Sequence, residues 1–177
     1  MKPSTLIGLG ATTPKISFYI GNIPDFIGFN TPTHFRPAEL SELAYIVSNT
    51  SNHWRKVFNV YAKVMWQWLN LTDPAQVNHL EKCGVTSWQH YRDNRLFQHE
   101  GNEALIFSAF DPKYSRSHLH VFAGKTYGHQ QYPHNLIEVN PQFWISPSKK
   151  LIIAPYPDYR QLTNARIDFL ISLLHSL

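Results

Sequence analysis

Over residues 52–69 the polar side chains fall on a single line. Lys56, Asn59, Lys63 and Gln67 recur at spacings of three and four, and Val57, Phe58, Val60, Tyr61, Val64, Met65, Trp68 and Leu69 take the rest of the circumference. That period belongs to a helix. A helix that is apolar over most of its girth cannot rest on one neighbour; it needs a sheet beneath it and another helix beside it. The narrow polar stripe is expected to be its only wet edge. A chain of 177 residues is long enough to build one such layered domain, residues 1–177, around a full core.

The strands of that sheet are readable as short apolar runs. Residues 16–21 are apolar nearly throughout, which predicts a strand covered on both faces. Residues 104–110, 118–123 and 151–154 read the same way, and residues 136–139 and 143–145 as minor strands. Pro37 in a first turn, followed by Leu40, Leu43, Ala44 and Val47, predicts a short amphipathic helix. Asp73-Pro74 forms a cap and first turn for a helix stopped by Gly84, Thr86 or Ser87 opens a short one carrying Trp88, Tyr91 and Arg92, and Thr163 caps a last one. Alternating strands and helices predict an α/β three-layer sandwich with a central, mostly parallel sheet. Only about seven residues separate the runs at 104–110 and 118–123. That is too few for a helical crossover, so an added hairpin, or a departure from the parallel order, is expected there.

Composition narrows the class of protein. Charged residues are 16%, aromatics 14% and apolar residues 43%, a balance that argues for order and much ring area. The formal charge of +4 favours polyanions, but no run of Lys and Arg marks a nucleic-acid arm. Cys83 is the only cysteine, which removes internal disulfides and Cys-rich zinc sites; it is expected to be a small buried apolar residue. The first fourteen residues lack the pattern of a signal peptide, and no stretch reaches the roughly 18 apolar residues of a membrane span. A cytoplasmic protein with no membrane partner is expected.

Several motifs fail on spacing. Gly124-Lys125-Thr126 ends like a phosphate loop, but Leu119 stands where that loop needs its first glycine. Gly8-Leu9-Gly10 precedes the first predicted strand, where a dinucleotide fingerprint must follow one. His118 and His120 share a strand face, with His129 and His134 in the next loop, yet no carboxylate stands at a telling spacing. No metal and no cofactor is expected. No Gly-x-Ser-x-Gly turn is present, and covalent hydrolysis has no support.

In open α/β sheets, ligands gather beyond the carboxyl ends of the strands. Asn22-Ile23-Pro24-Asp25, Asp111-Pro112, Gly124-Lys125-Thr126 and Tyr156-Pro157-Asp158 each follow a predicted strand. Phe26, Phe29, Phe35, Tyr127, Tyr132 and Tyr156 fall in predicted loops, with Arg116, Lys125, Arg160 and Arg166 nearby. Rings beside cations suit a stacked base next to a phosphate, and they equally suit lids folded over the sheet.

With these strand ends in place, the chain resembles the uracil-DNA glycosylase superfamily. In that family a first strand ends in a loop with glycine, proline and a catalytic Asp or Asn, and Gly21-Asn22-Ile23-Pro24-Asp25 is similar to it. A late strand ends in a His-Pro-Ser loop followed by a helix; residues 155–160 resemble it, but Tyr156 stands at the histidine and Asp158 at the DNA-contacting serine. The strand entering Gly124 resembles the family's penultimate one. The resemblance implies that Asn22 or Asp25 orients water or contacts the base and that Phe29 or Phe35 stacks on the base; Asp111 is a second candidate acid because it also lies at a predicted strand end. Gly124, Lys125, Tyr156, Asp158 and Arg160 would complete the binding site, Lys125 and Arg160 holding phosphate. A neutral phenol is a poor charged partner for a departing base. The expectation is therefore a diverged or inactive relative that binds DNA or a nucleotide-like small molecule. Two alternatives stand beside it: a non-catalytic interaction protein that dimerises through its aromatic loops, and a histidine-ligated metalloenzyme.

Overall fold

Apolar runs of four or five residues, cut off by proline, glycine or asparagine, supply the centre of the sheet. The computed structural model describes residues 5–24, 33–113 and 117–177. Its strands, in chain order, are β1 (Gly8–Gly10), β2 (Ile16–Tyr19), β3 (Phe35–Arg36), β4 (Glu103–Ile106), β5 (Leu119–Ala123), β6 (Ile137–Asn140), β7 (Phe143–Ser146) and β8 (Leu151–Ala154). The helices are α1 (Glu42–Asn49), α2 (Asn52–Thr72), α3 (Pro74–Lys82), α4 (Trp88–Asn94), α5 (Lys125–Gln131) and α6 (Asn164–Ser176). One mixed sheet takes the order β3-β1-β4-β2-β5-β8-β7-β6. Its middle, β4-β2-β5-β8, is parallel and buried at every position, as continuous apolar runs require. β1 is antiparallel to β4, and β6 and β7 form an antiparallel hairpin beside β8.

Helices α1–α4 and α6 pack on one face, where Val57, Phe58, Tyr61, Leu170 and Leu174 join Phe18 and Val121 in the larger core. On the other face, Tyr127 of α5 packs against a smaller core of Tyr19, Phe122, Trp144 and Ile153. The α/β class and the α2 period are as the sequence predicts. No described helix is long and apolar enough to cross a membrane.

The polar stripe of α2 is half-exposed at Lys56, Asn59 and Lys63 and exposed at Gln67, and its side chains also bond to neighbouring elements. Lys56 pairs with Asp158 at 3.0 Å, Asn59 accepts from Arg92 at 2.7 Å, Lys63 reaches Asn164 at 3.4 Å and Gln67 reaches Asp168 at 3.2 Å. The stripe ties α2 to α4, to the turn after β8 and to α6.

Five further expectations are corrected. The strands around 104 and 119 do not form a hairpin: β2 lies between them, parallel to both. Residues 107–113, which leave β4, are not helical. Phe110, read as strand, instead lies across the second face, 5.4 Å from Tyr19 and 5.3 Å from Phe122 between ring centres. Gly8-Leu9-Gly10 is itself a strand; a Cβ on Gly10 would stand 2.4 Å from the Ala104 Cα, so only glycine lets β1 approach β4 so closely. Pro37 does not open a helix. Arg36 forks onto the buried Glu42 carboxylate at 2.7 and 2.9 Å and Ala38 N–H bonds the Phe97 carbonyl, which holds the chain out of helix until Glu42. Cys83 is exposed at the end of α3, not buried.

Glu103, fully buried at the start of β4, accepts from the Tyr91 hydroxyl at 2.7 Å and from the N–H groups of Phe97 and Asn102 at 2.9 and 3.0 Å. Burial pushes its carboxyl up to about 7, against the pull of those three donors. A carboxyl raised in the folded state contributes stability that is complete below its unfolded value and is lost as pH rises through about 7. Glu103→Ala strands three buried donors and should cost at least about 3 kcal/mol in denaturant unfolding. In Glu103→Gln, the fall in melting temperature between pH 5 and pH 8 should shrink; an unchanged fall would remove Glu103 as its source.

Candidate functional site

β2, β5 and β8 are adjacent and parallel, so the residues after them share one rim of the sheet. After β2 the next described element is β3 at the far edge of the sheet, whereas the chain leaving β5 enters α5 on the second face at once. Gly124 makes that turn into α5 possible. Its φ of +95° lies where side-chain-bearing residues are strained, and its N–H bonds the Ala154 carbonyl at 2.8 Å, which ties β5 to β8 at the rim.

At this rim the Asn22 amide Nδ2 donates to the Tyr156 hydroxyl at 3.2 Å, and that hydroxyl lies 2.9 Å from His53 Nε2. The two groups share one hydrogen bond whose donor is set by the histidine tautomer: Tyr156 donates if Nδ1 carries the imidazole proton, and His53 donates if Nε2 does. The charges around the ring favour the uncharged imidazole in either case. Burial and Lys56 hold the His53 pKa below its usual value, and Asp158 opposes them. Burial pushes Tyr156 up to about 12, so it stays a phenol. Asp158 is held below the usual carboxylate range by the Arg160 N–H and by Lys56. Deeper in the core, Tyr61 is fully buried with the Tyr156 and Tyr127 hydroxyls as its electrostatic neighbours, and its own hydroxyl has no hydrogen-bond partner among the described residues.

A groove of about 230 Å³ opens on the other side of Tyr156. Lys125, Arg160 and Arg166 line it together with Gln142 and Trp144. The Lys125 ammonium stands 4.6 Å from the centre of the Trp144 ring. The site thus combines a neutral hydrogen-bonding set with a cationic cleft, and Tyr156 belongs to both.

Of the residues expected from the sequence, Asn22 and Tyr156 are bonded to each other, and Gly124, Lys125, Tyr156 and Arg160 line the groove. Asp158 adjoins them as the partner of Lys56. Phe35 is elsewhere, on β3 at the far edge of the sheet. Asp111 lies beyond the end of β4, with its carboxylate turned onto the Lys113 N–H. Asp25, Phe26, Phe29 and Arg116 fall outside the described residues, and so does most of the aromatic segment proposed for dimerisation. Tyr127 is on α5, not in a loop, and packs with Tyr132 against the smaller core. His120 is buried with Nδ1 3.2 Å from the Tyr19 hydroxyl and its pKa pushed down to about 4 by burial, while His118 is exposed. Among the described residues no three metal-capable side chains cluster. Sequence reasoning missed His53. The signal was present: positions 53, 56, 59, 63 and 67 form one line, and His53 extends the α2 stripe to the rim.

Removing the orphaned hydroxyl in Tyr61→Phe should leave stability unchanged or raise it by about 1 kcal/mol; a clear loss would reveal a partner. The titration of His53, followed by NMR, should move further down in Asp158→Asn and back up in Lys56→Met. Opposite shifts would refute the charge arrangement.

No curated protein and no solved structure matches the chain. Over residues 7–175 it matches a protein family, and the chain accordingly belongs to the family described as "Family of unknown function (DUF6942)".

Proposed function

We propose that this protein is a glycosylase-like domain that binds a nucleobase-bearing phosphate compound, nucleic acid or nucleotide, and that it has diverged from base excision. In this reading Asn22 contacts the base, Tyr156 and His53 hold the Asn22 amide in place, and Lys125 and Arg160 hold phosphate. The reading is supported by the neighbourhood of three strands: those whose ends carry the resemblance, β2, β5 and β8, are adjacent and parallel. The single observation that carries it is the juxtaposition, across Tyr156, of the Asn22–His53 hydrogen-bonded set with the groove of Lys125 and Arg160. Base and phosphate need these two kinds of surface side by side.

Divergence from catalysis follows from charge. A departing base anion is stabilised by a positive partner. Tyr156 is neutral up to about 12, and burial holds the His53 pKa below its usual value, which favours the neutral imidazole. Neither supplies the cation.

Fluorescence anisotropy with a labelled single-stranded oligonucleotide tests the reading. Affinity should fall roughly tenfold or more between 50 and 200 mM salt, and the double variant Lys125→Ala/Arg160→Ala should flatten the salt slope by about 1.4 log units per log unit. Salt-independent affinity, or no binding to oligonucleotides and nucleotides alike, would overturn it.

A further inference from the structure

Most cations for which a partner is seen on this molecule are neutralised by acids. Lys15, Arg36, Lys56, Arg92 and Arg95 each lie within ion-pair distance of a carboxylate. The three cations of the groove are held differently. Arg166 is anchored by the Gln161 carbonyl at 2.5 Å, Lys125 by the face of Trp144 at 4.6 Å, and Arg160 by the ring of Tyr159 at 5.7 Å. Each has a neutral partner there, and among the described residues none of the three is in an ion pair, although Arg160 also helps hold the Asp158 carboxyl below its usual range. No carboxylate is among the residues that line the groove.

From this we infer that the groove formed by Lys125, Arg160 and Arg166 is a site for a phosphate monoester, the terminal phosphate of a nucleotide or of a nucleic-acid strand; the inference rests on the reading given above. A phosphodiester carries one negative charge, and a strand of diesters needs cations in a row along its path. Here three cations face one cavity of about 230 Å³. A monoester brings close to two negative charges at pH 7 and three terminal oxygens, which suits a guanidinium on each side and an ammonium as the third donor. Gln142 and Tyr156 also line the groove, and the Tyr156 hydroxyl meets Asn22 at the rim, so a group esterified to the phosphate would have Asn22 within reach. The same chemistry describes a free nucleoside monophosphate and a phosphorylated strand end.

Calorimetric titration of the full chain separates these cases. The probes are a nucleoside, its 5′- and 3′-monophosphates, inorganic phosphate, and one oligonucleotide with and without a terminal phosphate. The monophosphate should bind at least about tenfold more tightly than the nucleoside, and the phosphorylated oligonucleotide more tightly than the unphosphorylated one. Arg166→Gln should abolish both differences, with its melting temperature measured alongside to show that the variant is folded. A free monophosphate that outcompetes the phosphorylated strand identifies the nucleotide as ligand; the reverse identifies the strand end. Equal affinity with and without the phosphate, or an Arg166→Gln variant that keeps the difference, overturns the monoester site but leaves oligonucleotide binding standing. If no probe binds, both readings fall.

Discussion

Helix α2 buries ten of its twenty-one side chains, from Trp54 to Leu69, and helices α1, α3, α4 and α6 are packed against it. Each large apolar side chain taken out of water contributes roughly 1.5–3 kcal/mol, whereas a hydrogen bond exchanged with water contributes about 1. Burial therefore holds the helix on the sheet. The polar stripe does a different job: it selects one rotation and one height. Lys56, Asn59, Lys63 and Gln67 each meet a partner on another element, and three of those partners lie in or just before α6. His53, one turn before Lys56, is delivered to the sheet rim by the same constraint. The geometry of the site is thus a by-product of how the core is locked.

Much of this was legible from residue pattern, and the failures have physical causes. Four central strands announce themselves because burial on both faces demands unbroken apolar runs. β1 does not, since Gly-Leu-Gly carries almost no side-chain signal; its strand character comes from backbones brought too close for a Cβ. Phe107 and Phe110 lengthened the apparent fourth strand because a crossover that packs over a sheet face is as apolar as a strand. Strand ends were readable at Asn22, Gly124 and Tyr156, so that part of the site was within reach. The pairing of Tyr156 with His53 was not, because a hydrogen bond between residues 103 positions apart depends on the angle at which α2 crosses the sheet. The Lys56–Asp158 ion pair was out of reach for the same reason, since its partners are 102 positions apart.

Charge on this surface is sorted by type of partner. Around Tyr156 the titratable groups are held in their uncharged forms, and the nearby Lys56 and Asp158 cancel one another. A few side chains away, rings and a carbonyl steady three cations without neutralising them. A ligand crossing from one region to the other passes from a surface that discriminates by hydrogen bonding to one that attracts by field.

The position of β2 has a cost during synthesis. Its last residue, Tyr19, pairs with Ile106 and Phe122, so β2 is made well before both of the strands that flank it. At ordinary ribosomal speeds the interval is on the order of ten seconds. Through that time an apolar segment has two unsatisfied backbone edges and neither of its native neighbours to pair with. Such a segment is a natural client for a chaperone and a ready partner for its like on a neighbouring polysome.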